Sequence, residues 1–235
     1  MGDPRLAIAL DVDNLGLACE VADVVRPYMG VAKVGLELFT AAGATAITAM
    51  QQRNLDVFLD IKLHDIPTTV GRAAAQAGRS GVRWLTIHTA GGAEMLEAGV
   101  DGLASASDTN AQVLGVTILT SDKDRSRELL AHRVGLARDA GCGGIICGAS
   151  DIAVAKEVAP RLTLVVPGIR LDDSAHHDQA TAVTPQAAIA VGADILVIGR
   201  TLTAGVSGLA VGSSQLRNAL ATVAERAARI ATDIG

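Results

Sequence analysis

Eight short apolar runs, each followed by a segment with helical spacing, constrain the fold of this chain more than any other feature. The runs cover residues 6–10, 31–36, 57–61, 84–87, 113–119, 144–147, 162–166 and 195–198. Each is strand-length and nearly continuous in hydrophobicity, the pattern of a strand buried on both faces. Between them, apolar residues recur three and four apart, as in Val21-Val24-Val25 and Ala73-Ala74-Ala77. Strand and helix in alternation imply a parallel sheet. Eight such units in 235 residues predict closure as a (β/α)8 TIM barrel. A doubly wound open sheet is the alternative. The first turn, however, reads Asp11-Val12-Asp13-Asn14-Leu15-Gly16, which is no dinucleotide fingerprint. No linker or composition break interrupts the pattern, so residues 1–235 are expected to form one domain.

Composition narrows the partners. Hydrophobic residues make up 49% of the chain and charged residues 19%, enough for a large core. The net charge is -5 and no basic block occurs, which argues against a nucleic-acid polymer or an anionic membrane as partner. A small anion held by a local cluster of Lys and Arg is compatible with that balance. The longest apolar stretches are strand-length, so no membrane span is expected. Met1-Gly2-Asp3-Pro4-Arg5 lacks a signal-peptide pattern. Cys19, Cys142 and Cys147 are odd in number and widely spaced, as in a reducing, cytoplasmic setting. Cys142 and Cys147 flank Gly143-Gly144-Ile145-Ile146 and read as small apolar side chains at a strand, without a metal.

Charged residues gather where the runs end. Asp11 closes the first run and Lys33 lies inside the second. The third leads into Asp60-Ile61-Lys62-Leu63-His64-Asp65. Side chains alternate along a strand, so Asp60 and Lys62 are expected on one side. Asp65 follows, just before Ile66-Pro67, where the strand cannot continue in regular form. A lysine inside an apolar strand is costly to bury unless paired. Two such lysines beside aspartates read either as salt bridges plugging the barrel mouth or as a charged catalytic network. In a TIM barrel the C-terminal strand ends carry the chemistry, which favours the network.

A phosphate signal comes next. Barrels of this kind commonly hold phosphate on the loops after strands seven and eight. Here those loops carry Pro167-Gly168-Ile169-Arg170 and Gly199-Arg200. Arginine grips phosphate bidentately, and glycine leaves backbone N–H groups accessible. Residues 167–184 form the one long irregular stretch and read as a functional loop, often a lid in such enzymes. Pro185 beyond it is placed to open a helix.

Taken in order, these residues resemble the orotidine 5'-phosphate decarboxylase family over nearly the whole chain. The likeness rests on Leu10-Asp11, Lys33 and Asp60-Ile61-Lys62-Leu63-His64-Asp65-Ile66-Pro67-Thr68-Thr69. It continues through His88-Thr89-Ala90-Gly91-Gly92, Leu119-Thr120-Ser121, Pro167-Gly168-Ile169-Arg170, Asp178-Gln179 and Ile198-Gly199-Arg200. The Asp-x-Lys-x-x-Asp motif alone is shared by a wider superfamily, whereas the ordered set is specific. The resemblance implies conversion of orotidine 5'-monophosphate to uridine 5'-monophosphate and CO2, with no cofactor and no metal. It implies a homodimer with shared active sites, in which Lys33, Asp60 and Lys62 join Asp65 of the neighbouring subunit in a charged network. Lys62 would protonate the C6 carbanion. Asp11 and Lys33 would hold ribose hydroxyls, and Thr120 the pyrimidine. Gln179, Gly199, Arg200 and Arg170 would bind phosphate, with Ile66, Thr69 and Pro167 among the other substrate-binding residues. Ala180 and Thr181 stand where many family members carry basic residues.

Two other functions fit parts of the pattern. A metal-dependent sugar-phosphate lyase of the superfamily would share Asp-x-Lys-x-x-Asp but place an acid near Lys33 as metal ligand. A non-catalytic phosphosugar-binding barrel would not need two lysines and three aspartates crowded at strand ends. Among the histidines, His88 reads as structural, His64 as a spacer and His176-His177 as an exposed loop pair. Trp84 reads as core, and residues 216–230 as an amphipathic helix closing the barrel.

Overall fold

The computed structural model of the chain describes residues 2–108, 110–119, 122, 125–171 and 183–235. Its strands are β1 (Asp3–Ala9), β2 (Met29–Gly35), β3 (Asp56–Leu63), β4 (Trp84–His88), β5 (Gln112–Val116), β6 (Gly144–Ile146), β7 (Thr163–Val166) and β8 (Ile195–Ile198). They follow one another in chain order around a closed barrel, and every strand pairing described is parallel. The helices are α1 (Leu15–Val25), α2 (Leu36–Ala42), α3 (Ala44–Gln51), α4 (Pro67–Arg79), α5 (Ala93–Ala106), α6 (Arg127–Asp139), α7 (Ile152–Val158), α8 (Pro185–Val191), α9 (Arg200–Thr203) and α10 (Ser214–Asp233). The expected (β/α)8 TIM barrel is the fold, and each of the eight apolar runs overlaps a strand.

Several runs overreach their strands, and two of these show why. Leu36 does not end β2; it opens α2 and is exposed. Gly35 before it breaks the strand, and a glycine at a helix N-cap suits that turn. β5 stops at Val116 instead of running to Leu119 and Thr120. Beyond it, the Thr117 hydroxyl donates to the Ile146 carbonyl at 2.8 Å, and an Asp122 carboxylate accepts the Leu119 N–H at 3.1 Å. These side-chain bonds stand beside one last backbone bond, from the Thr117 N–H to the Ile146 carbonyl at 3.4 Å. Thr120, Ser121 and residues 172–182, Gln179, Ala180, Thr181 and His176-His177 among them, lie outside the described residues.

The chain forms two compact units. The first comprises residues 1–58, 168–190 and 195–235. In it β1 pairs with β2 and β8, with Ala9 opposite Lys33 and Ile8 opposite Ile198. Pro185 opens α8, and the C-terminal tail is the long helix α10, whose buried stripe is Leu216, Leu220, Val223, Ala227 and Ile230. The second unit comprises residues 59–167 and 191–194. In it β4, β5, β6 and β7 pair in sequence. Here α4 and α5 meet through glycine: a Cβ at Gly102 would run into the Gly71 carbonyl oxygen. No side chain fits that gap, so the pair fixes how closely α4 docks. Trp84, Cys142 and Cys147 are buried core residues. Burial pushes both thiols up to about 12, far from reactive thiolates.

Candidate active site

Among the described residues, a lysine–aspartate ion pair stands at the strand ends of each unit. In the first, the register Ala9 to Lys33 places Asp11 just beyond β1 and beside the second strand. Lys33 Nζ donates to Asp11 Oδ1 at 3.0 Å. Lys33 is 8% exposed, while the Asp11 side chain reaches solvent. Gly35 is part of this arrangement. A Cβ there would lie 2.8 Å from Asp11 Oδ1 and 3.0 Å from Lys33 Nζ, so any larger residue would push the pair apart.

In the second unit, Lys62 Nζ donates to Asp60 Oδ1 at 2.8 Å. Asp60 is 8% exposed, and Lys33 and Asp60 are the charged residues that count as buried among the described residues. Burying such groups is costly unless each is paired, and each has a partner here. The pairing agrees with the alternation argument, but the backbone does not. Lys62 has φ +48°, in the left-handed region, so the regular pleat breaks at this residue. A non-glycine residue there costs roughly 1–2 kcal/mol. The Lys62 N–H accordingly points to a side chain: it donates to Thr86 Oγ1 at 2.9 Å.

Past β3 the chain turns. Asp65 is exposed, and its Oδ1 accepts the N–H of Ile66 at 2.7 Å. Ile66 is 66% exposed, and Pro67 takes the first position of α4. Thr69 is exposed in the first turn of that helix. His88, at the end of β4, has its ring 5.5 Å from that of His64. Burial, followed by the charges of His64, Lys62 and Arg133, holds the His88 imidazole below its ordinary value, with Asp122 pulling the other way.

The loops after β7 and β8 carry the residues expected to hold phosphate, except Gln179, which lies outside the described residues. Pro167 follows β7, and Gly168 takes φ +82°, a turn that needs glycine. Ile169 then bridges Val183, and the Arg170 N–H donates to the Val183 carbonyl at 3.0 Å. Arg170 Nη1 donates to Thr201 Oγ1 at 3.2 Å, and that hydroxyl donates to the Ile169 carbonyl at 2.8 Å. Gly199 caps α9, and Arg200 is the exposed first residue of that helix. From α10, Arg226 donates to the Thr201 carbonyl. Thr201, the second residue of α9, is thus held by Arg170 from the loop after β7 and by Arg226 from α10.

Sequence reading missed Thr86, Thr201 and Gly35. Thr86 offered a signal: a hydroxyl inside the apolar run Trp84-Leu85-Thr86-Ile87 needs a partner. Gly35 and Thr201 offered none, because their value lies in what stands next to them in space.

Comparison with known proteins supplies the remaining context. The family model described as Orotidine 5'-phosphate decarboxylase / HUMPS family matches residues 4–208. An orotidine 5'-phosphate decarboxylase from Anaeromyxobacter sp. (strain K) is 43% identical over 209 residues, 84% of this chain and 90% of that protein. One from Legionella pneumophila subsp. pneumophila is 36% identical over 226 residues, 92% of this chain and 99% of the relative. A crystal structure of orotidine 5'-phosphate decarboxylase from Lactobacillus acidophilus superposes with TM-score 0.73 at 27% identity, covering 95% of this chain and 98% of that one. The chain belongs to the orotidine 5'-phosphate decarboxylase / HUMPS family.

Proposed function

We propose that this protein decarboxylates orotidine 5'-monophosphate to uridine 5'-monophosphate and CO2, the last step of de novo pyrimidine nucleotide synthesis. The observation that carries the reading is the Asp60–Lys62 ion pair at a strand end, with Asp60 buried, in a chain of this family. Loss of CO2 from C6 leaves a vinyl carbanion with no adjacent electron sink. Such a reaction needs a cation in place beforehand and a proton at hand. Lys62 supplies both, as an ammonium and as the general acid. Asp60 orients it and stands against the substrate carboxylate. A like charge about 4 Å away costs about 4 kcal/mol at an effective dielectric near 20, a repulsion that ends when CO2 leaves.

Asp11 and Lys33 hold ribose hydroxyls in this reading, and Thr120 meets the pyrimidine. Arg170, Gly199, Arg200 and Gln179 hold the phosphate, whose binding energy helps to close the site. The active form is a cytoplasmic homodimer, with Asp65, Ile66 and Thr69 reaching the neighbouring site. The exposure of Asp65 and of Ile66 at the start of α4 supports that placement. No helix among the described residues is long and apolar enough to cross a membrane. The reaction uses neither metal nor organic cofactor. Lys33 stands where the lyase alternative would place an acidic ligand, and its charge is wrong for that role.

The test is a spectroscopic assay of orotidine monophosphate turnover in EDTA. Turnover undiminished by chelation is the expected result. Activity lost on exhaustive chelation and restored by magnesium would favour the lyase branch, and no turnover at all would favour a binding protein.

A further inference from the structure

We propose that Thr86 is a positioning residue for the reaction: its hydroxyl holds the left-handed backbone of Lys62 in place and aims the Asp60 carboxylate. This inference rests on the decarboxylase reading above for its kinetic consequence, though not for its geometry.

The argument starts from what a hydroxyl can do. Thr86 Oγ1 has one proton to give and two lone pairs to receive with. It accepts the Lys62 N–H at 2.9 Å. Two acceptors compete for its proton: Asp60 Oδ1 at 3.1 Å and the Leu59 carbonyl at 3.5 Å. The shorter contact is to a carboxylate, the stronger acceptor, so the proton belongs to Asp60. Asp60 Oδ1 also receives the Lys62 ammonium at 2.8 Å. Both ends of Lys62 are thus fastened to one carboxylate oxygen. The ammonium reaches it directly, and the backbone N–H reaches it through Thr86.

Three features make this more than a core hydrogen bond. Thr86 is fully buried at 0% exposure, so no water substitutes for the hydroxyl. Lys62 sits at φ +48°, a conformation that persists only where its surroundings hold it. Thr86 is on β4 and the pair on β3, so the hydroxyl also sets the register of the reacting groups against the next strand. Without it, the Lys62 N–H loses its partner and Asp60 loses a donor.

The experiment compares Thr86→Val, which keeps the shape and loses the hydroxyl, with Thr86→Ser, which keeps the hydroxyl. Misplacement of a reacting group by a fraction of an ångström to one ångström costs up to about a hundred-fold in rate. The expected result is a kcat at least roughly ten-fold lower in Thr86→Val, with KM within about three-fold of wild type. Thr86→Ser should recover kcat to within about three-fold. Hydrogen exchange at the Lys62 amide, read by NMR without substrate, should be slow in wild type and Thr86→Ser and fast in Thr86→Val. A Thr86→Val enzyme with near wild-type kcat would overturn the proposal. So would a loss of melting temperature, kcat and KM together that serine does not repair, since that pattern marks a purely structural role. If Thr86→Val does not fold, Thr86→Cys, whose thiol is a weak donor and acceptor, takes its place with the same expected outcomes. Absence of turnover in the wild type would count against the decarboxylase reading alone, and the amide exchange would still decide the role of Thr86.

Discussion

Lys33 and Asp11 form their ion pair, at 3.0 Å, across a gap that only a glycine at position 35 leaves open. A methyl group at that position must displace the Lys33 ammonium, the Asp11 carboxylate, or both. Gly35→Ala should therefore lower kcat/KM by at least about ten-fold while the cooperative unfolding transition survives. Steady-state kinetics and a thermal melt on the same preparation check it. Wild-type kcat/KM in that variant would mean that the pair is not used.

Lys62 separates activity from stability. Lys62→Ala should nearly abolish turnover with the fold intact, and more than a tenth of wild-type turnover would exclude Lys62 as the acid. Lys62→Gly should be equally inactive. It should also be more stable than Lys62→Ala by about 1 kcal/mol, because glycine takes φ +48° without strain and alanine does not. Urea unfolding of the two variants gives the difference. The reverse order would mean that the backbone at 62 relaxes once the lysine is gone.

His88 should leave a mark on the pH dependence of stability. Its folded-state value lies below the ordinary 6.5. Between the two values the unfolded chain binds more protons, so stability rises with pH there. The contribution of His88 is complete above about pH 6.5 and is lost as pH falls from there towards the lower, folded-state value. The wild type should therefore lose more stability than His88→Gln when unfolding is measured at about pH 7.5 and again at about pH 5.5. Equal losses would show that His88 is not held neutral by its surroundings.

Arg200→Ala should raise KM for the phosphorylated substrate. Phosphite added with the dephosphorylated nucleoside should fail to rescue that variant through the lost contact. A phosphite response equal to wild type would place the phosphate away from the start of α9.

Sharing of the site can be tested by complementation. Lys62→Ala and Asp65→Ala proteins, each inactive, are mixed under conditions that exchange subunits. A heterodimer then has one site with both defects and one with neither. Random mixing should restore about a quarter of wild-type activity per subunit. Inactivity despite proven exchange would assign Asp65 to its own subunit.

The barrel was legible because each strand is built on a nearly continuous apolar run, whereas the helices repeat at a different period. Those two signals do not interfere. The charged residues were legible for a related reason: Lys33 and Asp60 interrupt runs that otherwise bury everything. Boundaries were less visible. Leu36 belongs by hydrophobicity to β2 and by backbone to α2, and hydrophobicity alone cannot separate them. The break at Lys62 was invisible too, since a period-two reading assumes regular backbone and still places Asp60 and Lys62 side by side. Thr86 lay between these extremes. Its buried hydroxyl demanded a partner, but only the pairing of strands reveals which one.

The left-handed backbone at Lys62 also bears on how this protein would respond to engineering. Selection for heat resistance favours replacing strained non-glycine residues with glycine or asparagine. At position 62 that replacement relieves the backbone and removes the ammonium in one step. A thermostability screen run without an activity filter would enrich inactive barrels at this codon, so position 62 has to be held fixed in any such library.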